Sequence, residues 1–480
     1  MKPNTSINSR PLLFAGIVLA IGTLFSLSAF AQVQVFKQPF TNDTASVAKQ
    51  KAKVDSIRNP HRFGRAAAEF GTLEVGVWAW DHFLKHADYS DIGFATARRN
   101  LNPGSWEFDQ DPFTTNQFGH PFHGSQFYTS FRANGYTFWQ AAPAAFAGSY
   151  LWETFGERDH PAPNDFINTG FGGVVLGETT YRLGNKLINN RHRGFRRQVE
   201  EVVALIINPV NGFNRILDGK WGKYSSNTTE RDSSKVSAEF DLGFRKFGGN
   251  DAGLFDKGNM GLYIRGRLVY GTPYENYKTP FSNISITIEG GQDDSTKLNN
   301  ISVYGSLTGW LLRDGEHIKH LLTISANYDY IHNVAFFYGG ESVKANLYSE
   351  FKIDKDIKIS TGLSAGPILL SAVPEPYIYN GRNYDYGSGL GGGVTAGINV
   401  ADRLFFSAGY RTGWSVTLNG NSSHYFLHNS TAEFSYMFIK HLSIAADGGY
   451  FSLNGYIKGK PKDNRSYPFL RTALRYSVNF

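Results

Sequence analysis

Cysteine is absent from all 480 residues. That excludes a disulfide framework, a cysteine-ligated metal, a thiol nucleophile and lipid attachment through a cysteine behind an export signal. Charge of one sign is scarce as well. Lys and Arg number 48 against 41 Asp and Glu, a net charge of +7 that falls to +5 if Lys2 and Arg10 leave with a leader. So mild a balance does not argue for a nucleic-acid partner. Long hydrophobic runs are missing too: after residue 31 nothing approaches the ~18 uninterrupted apolar residues of a spanning helix.

Aromatics and glycine fill the gap. Aromatic residues make up 15% of the chain, with 26 Tyr, 38 Phe and 52 Gly. The N-terminus carries Lys2 and Arg10, then an apolar stretch over 12–28 and an Ala29-Phe30-Ala31 cleavage site. This is the pattern of a secretory signal peptide over 1–31, with an N-terminal membrane anchor as the alternative. An exported, aromatic-rich chain without spanning helices points to an outer-membrane barrel or a secreted β protein.

The pattern changes near residue 230. After a disordered segment over 32–61, residues 62–220 read as a helical module, with helices over 65–86, 124–133, 137–157, 165–189 and 194–217. A Ser/Thr-rich linker (221–235) leads into period-two sequence over 236–480. In LRTALRYSVNF, Leu474, Tyr476, Val478 and Phe480 alternate with Ala473, Arg475, Ser477 and Asn479, as a lipid-facing strand requires. A terminal Phe480 fits recognition by the barrel-assembly machinery. About twelve strands can be placed, from 236–247 to 468–480, with short connections RDGEH, DK, AD and KH alternating with longer ones such as SAVPEPYIYNGRNYDY. The expected fold is α+β, mainly β: an N-terminal helical module followed by a transmembrane antiparallel β-barrel of about 12 strands. The glycines of YGSGLGGGVTAGINV (386–400) either make room for an inserted segment or help the sheet curve.

Polar residues cluster in WETFGERDHPAPND (152–165), between two apolar helices. Gly148, Gly173 and Gly177, with neighbouring alanines, suit close packing of helix 137–157 on helix 165–189. Asn164 is placed to cap the second helix, with Asp165 in its first turn facing the helix dipole. Glu153, four residues before Glu157, can converge with Glu157, Asp165 and Asn168 at one end of the hairpin. Glu178 lies too far along its helix to join them. His120 and His123 have a chelating spacing but no defined third ligand, so no metal or other cofactor is expected. The bland alternative is a proline-containing helix entry. No G-x-S-x-G or H-E-x-x-H motif is present. The basic run RHRGFRR (191–197) is either a solvated helix start or a contact for anionic lipid.

WEFDQDPFTTNQFGHPFHGSQFY, RANG, WETFGE, PAPNDFINTGFGGVVLGETTYRL and INPVNGFNRIL, taken in order over roughly 100–217, resemble domain-of-unknown-function family 3943. That family is found in envelope proteins of Gram-negative bacteria, notably Bacteroidota. The matching positions are Asn116, His120, Pro121, Gly124, Arg132, Gly135, Trp152, Glu153, Glu157, Asn164, Asp165, Gly173, Gly177, Glu178 and Arg182. The resemblance implies a discrete module ahead of a barrel and assigns no catalytic residue. In one departure, Ala162-Pro163 stands where a serine is expected. Two functions follow as expectations. The first is a non-enzymatic outer-membrane channel or envelope-lipid factor. Its helical module, periplasmic or within the lumen, would plug or gate the barrel, with Glu153, Glu157, Asp165 and Asn168 as an internal polar lock and Asn164, Glu178 and Arg182 in the wider polar cluster. The second is an outer-membrane enzyme acting on lipid or glycan, with Glu153, Glu157, Asp165, His120 and His123 as candidate catalytic groups. Outer-membrane lipid or lipopolysaccharide is the expected partner in either case.

Overall fold

The structure, a computed structural model, describes residues 61–109, 111–225, 234–250, 254, 258–293, 296–379 and 382–479. The leader, most of the segment before residue 62, the middle of the linker and Phe480 lie outside the described residues.

The helices are α1 (Phe63–Ala79), α2 (Phe94–Asn100), α3 (His120–Arg132), α4 (Phe138–Leu151), α5 (Pro163–Ile167), α6 (Gly173–Leu187), α7 (Gly194–Ile207) and α8 (Pro209–Leu217). Wide turns with i→i+5 hydrogen bonding run over Thr115–Gly119, Trp152–Gly156 and Asn168–Gly172. Such turns add a residue to a helix and re-aim the side chains around it. The close partner of α6 is α3 rather than the expected α4. A Cβ on Gly173 would stand 2.6 Å from the Gly124 carbonyl carbon, whereas Gly148 of α4 receives the Phe127 ring of α3 and Gly177 receives the Tyr128 ring. The small residues mark close approaches, and helix α3 occupies them.

Twelve strands follow: β1 (Val236–Phe247), β2 (Asn259–Tyr270), β3 (Ile284–Gly291), β4 (Leu298–Asp314), β5 (Ile318–His332), β6 (Phe337–Lys352), β7 (Ile357–Tyr379), β8 (Arg382–Val400), β9 (Leu404–Thr417), β10 (Ser423–Ile439), β11 (Leu442–Ile457) and β12 (Asp463–Asn479). Each pairs antiparallel with its neighbours, and β1 pairs with β12 to close the barrel. SAVPEPYIY, expected as part of a loop, extends β7 instead. Its prolines are accommodated where the ladder shifts register between Pro374 and Tyr379.

Side-chain parity separates the two faces. Arg265 on β2 hydrogen-bonds Asp241 on β1, Glu433 on β10 and Asp447 on β11. Strands that far apart around a closed barrel meet only through its interior. The opposite face of β1, β2 and β12 carries Leu242, Phe244, Leu262, Ile264, Leu470 and Leu474, all exposed. That apolar outer surface is the one a membrane barrel turns to lipid.

The helices meet this outer face. Leu268 and Tyr270 continue the Leu262–Ile264 face of β2, yet they are buried. Cross-strand partners carry the face on through Ile286, Val303, Tyr328, Glu341 and Leu370. Against it, Tyr328 donates to the Gln117 carbonyl at 2.7 Å, and Phe113 stacks on Tyr330 with ring centroids 5.7 Å apart. Phe138 stacks on Phe281, in the β2–β3 connection, at 5.4 Å. These contacts do not meet the expectation of helices plugging or gating the lumen, because the strand residues involved point away from it. The interior is crossed instead by Arg265, Arg267, Arg471 and Arg475 paired with Asp241, Glu289, Glu433 and Asp447, and by Arg411 on β9 reaching Asp329 on β5. Near the opposite end, Val334 and Phe336 of the β5–β6 connection pack among Phe451, Tyr467 and Phe469.

Candidate functional site

Three chain segments converge where the helices meet the start of β8. Helix α5 begins at Pro163, so Asn164 lies inside its first turn instead of capping it. Freed from that task, the Asn164 amide donates to Asp109 Oδ1 at 2.5 Å, Asp165 Oδ1 at 2.8 Å and the Tyr386 hydroxyl at 3.1 Å. Asn116, held by the wide turn before α3, donates to the Tyr384 hydroxyl at 2.8 Å and to Asp109 Oδ2 at 3.3 Å. Arg382 donates to the Asp109 carbonyl. His120, on the first turn of α3, places Nε2 3.1 Å from Asp165 Oδ1, and Thr169 lies 3.3 Å from its Nδ1.

Glu153 sits in the wide turn that ends α4. Its Oε2 accepts the Ala162 N–H at 2.8 Å, and its backbone carbonyl accepts from Asn100 Nδ2 at 3.1 Å. Trp152 donates its indole N–H to Glu157. Asn168 is buried in the next wide turn, and its Nδ2 has no hydrogen-bond partner among the described residues. The sequence-derived set of Glu153, Glu157, Asn164, Asp165 and Asn168 thus lies on the turns and helix starts at one end of the helical layer. Asn164, Asp165 and His120 are joined directly in one network.

Electrostatics follow from burial. It holds the Glu153 carboxyl well above the usual carboxylate range, with Glu157 adding to the effect. It holds Asp165 up likewise, and Asp109 adds to that. Glu157 rises to about 7, mainly through burial. Burial lowers His120 to about 4, against the pull of Asp109. It lowers His123 to about 3, with His120 contributing. Burial thus pushes the Asp165 carboxyl toward its protonated form and the His120 imidazole toward its neutral form, with Nε2 and Oδ1 3.1 Å apart. Such a pair can move a proton to or from a neighbouring group. His123 lies away from this network, its ring 5.1 Å from that of Trp152. Among the described residues, no three His, Asp or Glu side chains come together as a metal would need.

Glu178 and Arg182 belong to a separate tie at the far end of α6. Arg132 and Arg182 donate to the Glu178 carboxylate at 2.8 and 2.7 Å, and Tyr128 donates at 2.5 Å. Burial opposes ionisation of Glu178, and the two guanidinium groups overcome it, leaving its pKa below the ordinary value. Arg182 also donates to the Pro280 carbonyl at 2.7 Å, fastening the helices to the β2–β3 connection. In RHRGFRR, Arg197 is buried against Glu201 at 2.8 Å, so this part of the run is not solvated.

Asp109, Asn100, Arg382, Tyr384 and Tyr386 were not singled out from the sequence. Asp109 and Asn116 share the WEFDQDPFTTNQFGHPFHG stretch, which is a local signal. The tyrosines stand 268 and 222 residues from their asparagine partners, and nothing in NYDY announces that pairing.

Residues 105–210 match the family model described as Domain of unknown function (DUF3943). No curated protein matches the chain. Among solved structures, the NanC porin is 9% identical with a TM-score of 0.26, covering 48% of this chain and 98% of that one. The COG4313 outer membrane channel from Pseudomonas putida F1 is 10% identical with a TM-score of 0.31, covering 52% and 95%. The KdgM porin is 12% identical with a TM-score of 0.22, covering 50% and 99%. The fold assignment rests on the strand pairing of this chain itself.

Proposed function

We propose that this outer-membrane barrel is a non-conducting envelope-lipid factor, a membrane platform that carries a helical layer on its outer wall. The observation that carries the reading is the division of side chains between the two faces. Interacting charges fill the interior, while the helices and their acid–histidine network sit on the side that would face lipid. A channel needs an open polar path, and ion pairs spanning β2 to β10 and β5 to β9 obstruct one. Planar-bilayer recording of the purified protein tests this. The expected record shows no stable open state, and a steady ohmic conductance from the intact protein would overturn the proposal.

A second reading is an enzyme acting on lipid or glycan. The contact of His120 with Asp165, beside Asp109, favours it, because burial raises the acid and lowers the imidazole at a separation of 3.1 Å. A time-dependent mass change in added lipopolysaccharide, lost in His120→Asn, would replace the first reading with this one.

A further inference from the structure

The helical layer has an outward face of its own, and that face is apolar. From Phe138 to Trp152 the chain carries no Asp, Glu, His, Lys or Arg. Along α4 and the turn after it, Trp139 is 60% exposed and Phe155 44%, with Pro143, Ala147, Tyr150 and Leu151 exposed between them. On α1 and the turn that follows, Val75 is 63% exposed, Trp80 55%, Phe83 60% and Leu84 64%. Helix α3 lies beneath, with most of its residues buried. A helix facing water would carry charged residues on its outer stripe. An exposed apolar surface this extensive marks a contact with something apolar.

What that is follows from the attachment. The layer is fastened to the outward wall of the barrel, through Phe113 on Tyr330 and Phe138 on Phe281. Beyond its edges the same wall exposes Leu262, Ile264, Leu363, Leu390 and Val394. The apolar face of the helices is therefore continuous with the wall that a membrane barrel turns to acyl chains. Exposed basic residues gather on the other part of the layer, at Arg191, Arg193, Arg196, Lys220 and Lys223. That charge suits anionic headgroups at the membrane edge.

We infer that the α1–α4 face is embedded in the acyl-chain layer beside the barrel. This rests on the reading of the barrel as membrane-spanning. No helix among the described residues is long and apolar enough to cross a membrane alone. The embedding is lateral, one face against lipid and the other against the barrel wall.

A chain without cysteine permits a direct test. Val75→Cys, Ala147→Cys, Val394→Cys and Lys355→Cys, each nitroxide-labelled in the full chain and reconstituted into phospholipid vesicles, report exposure to oxygen and to a water-soluble nickel chelate. All four positions are exposed, so labelling leaves the packing intact. Labels at Val75 and Ala147 are expected to match Val394, accessible to oxygen and shielded from nickel, and to differ from Lys355 in a strand-connecting turn. Nickel access at Val75 and Ala147 equal to that at Lys355, with Val394 still shielded, would overturn the inference alone. Nickel access at Val394 as well would overturn the barrel reading beneath it. Spin–spin broadening at Ala147 would assign the face to a second copy of the chain and reject lipid as its occupant.

Discussion

The acids that end helix α4 show how burial makes a carboxyl hold its proton more tightly. Glu157 has an ordinary carboxyl pKa when the chain is unfolded and a value of about 7 when folded, raised mainly by burial. A carboxyl raised on folding binds a proton more tightly in the native state. Its contribution is complete below the unfolded value and is lost as pH climbs through the folded one. Thermal stability of the helical layer, followed by near-ultraviolet circular dichroism, should therefore decline between about pH 4.5 and pH 7. Glu157→Gln, which keeps a hydrogen-bonding side chain but cannot ionise, should flatten part of that decline. A profile unchanged by the substitution would mean that Glu157 is solvated. Glu153 and Asp165 were legible in the sequence because their acids sit among apolar residues. Asp109 was not, because its partner Asn164 is distant in sequence and their meeting depends on how the helices fold back.

Strands and helices were legible to different depths. Period two placed every strand, and for β1 it gave the ends as well, because inward Asp241 and Arg245 alternate with outward Leu242 and Phe244. It missed the far end of β7, where prolines signal a loop although a register shift accommodates them. Among the helices, glycine spacing marked close approach but not which backbone comes close. The answer is α3 against α6, where Gly124 and Gly173 face each other and an added Cβ on Gly124 would lie 1.8 Å from the Thr169 carbonyl oxygen. Gly173→Ala should force these backbones apart and destabilise the layer by about 1–3 kcal/mol, the usual scale of overpacking. Gly64→Ala, with open space around it, is the matched control. Equal melting temperatures for the two variants would show that the helices adjust freely.

At the scale of the whole molecule, the period-two sequence announced a barrel but could not say which side the helices occupy. Both faces of β2–β7 contribute residues to a packed environment, and composition alone reads either one as buried. Charge placement resolves the ambiguity. Glu433 accepts from Arg265, Arg267 and Arg475 inside the barrel, so one carboxylate ties β10 to β2 and β12. Removing it leaves three guanidinium groups in a confined interior with fewer counter-charges, and a buried charge stripped of its partner costs about 3–5 kcal/mol. Water and anions entering the lumen offer the easiest relief. Glu433→Ala should thus lower the thermal stability of the barrel and produce anion-selective openings in planar bilayers, where the unaltered protein stays silent. If the helices filled the lumen, this substitution would leave conductance unchanged and only truncation of the helical layer would open a path. Silence from Glu433→Ala in a correctly folded barrel, combined with conductance after loss of the helices, would return them to the interior.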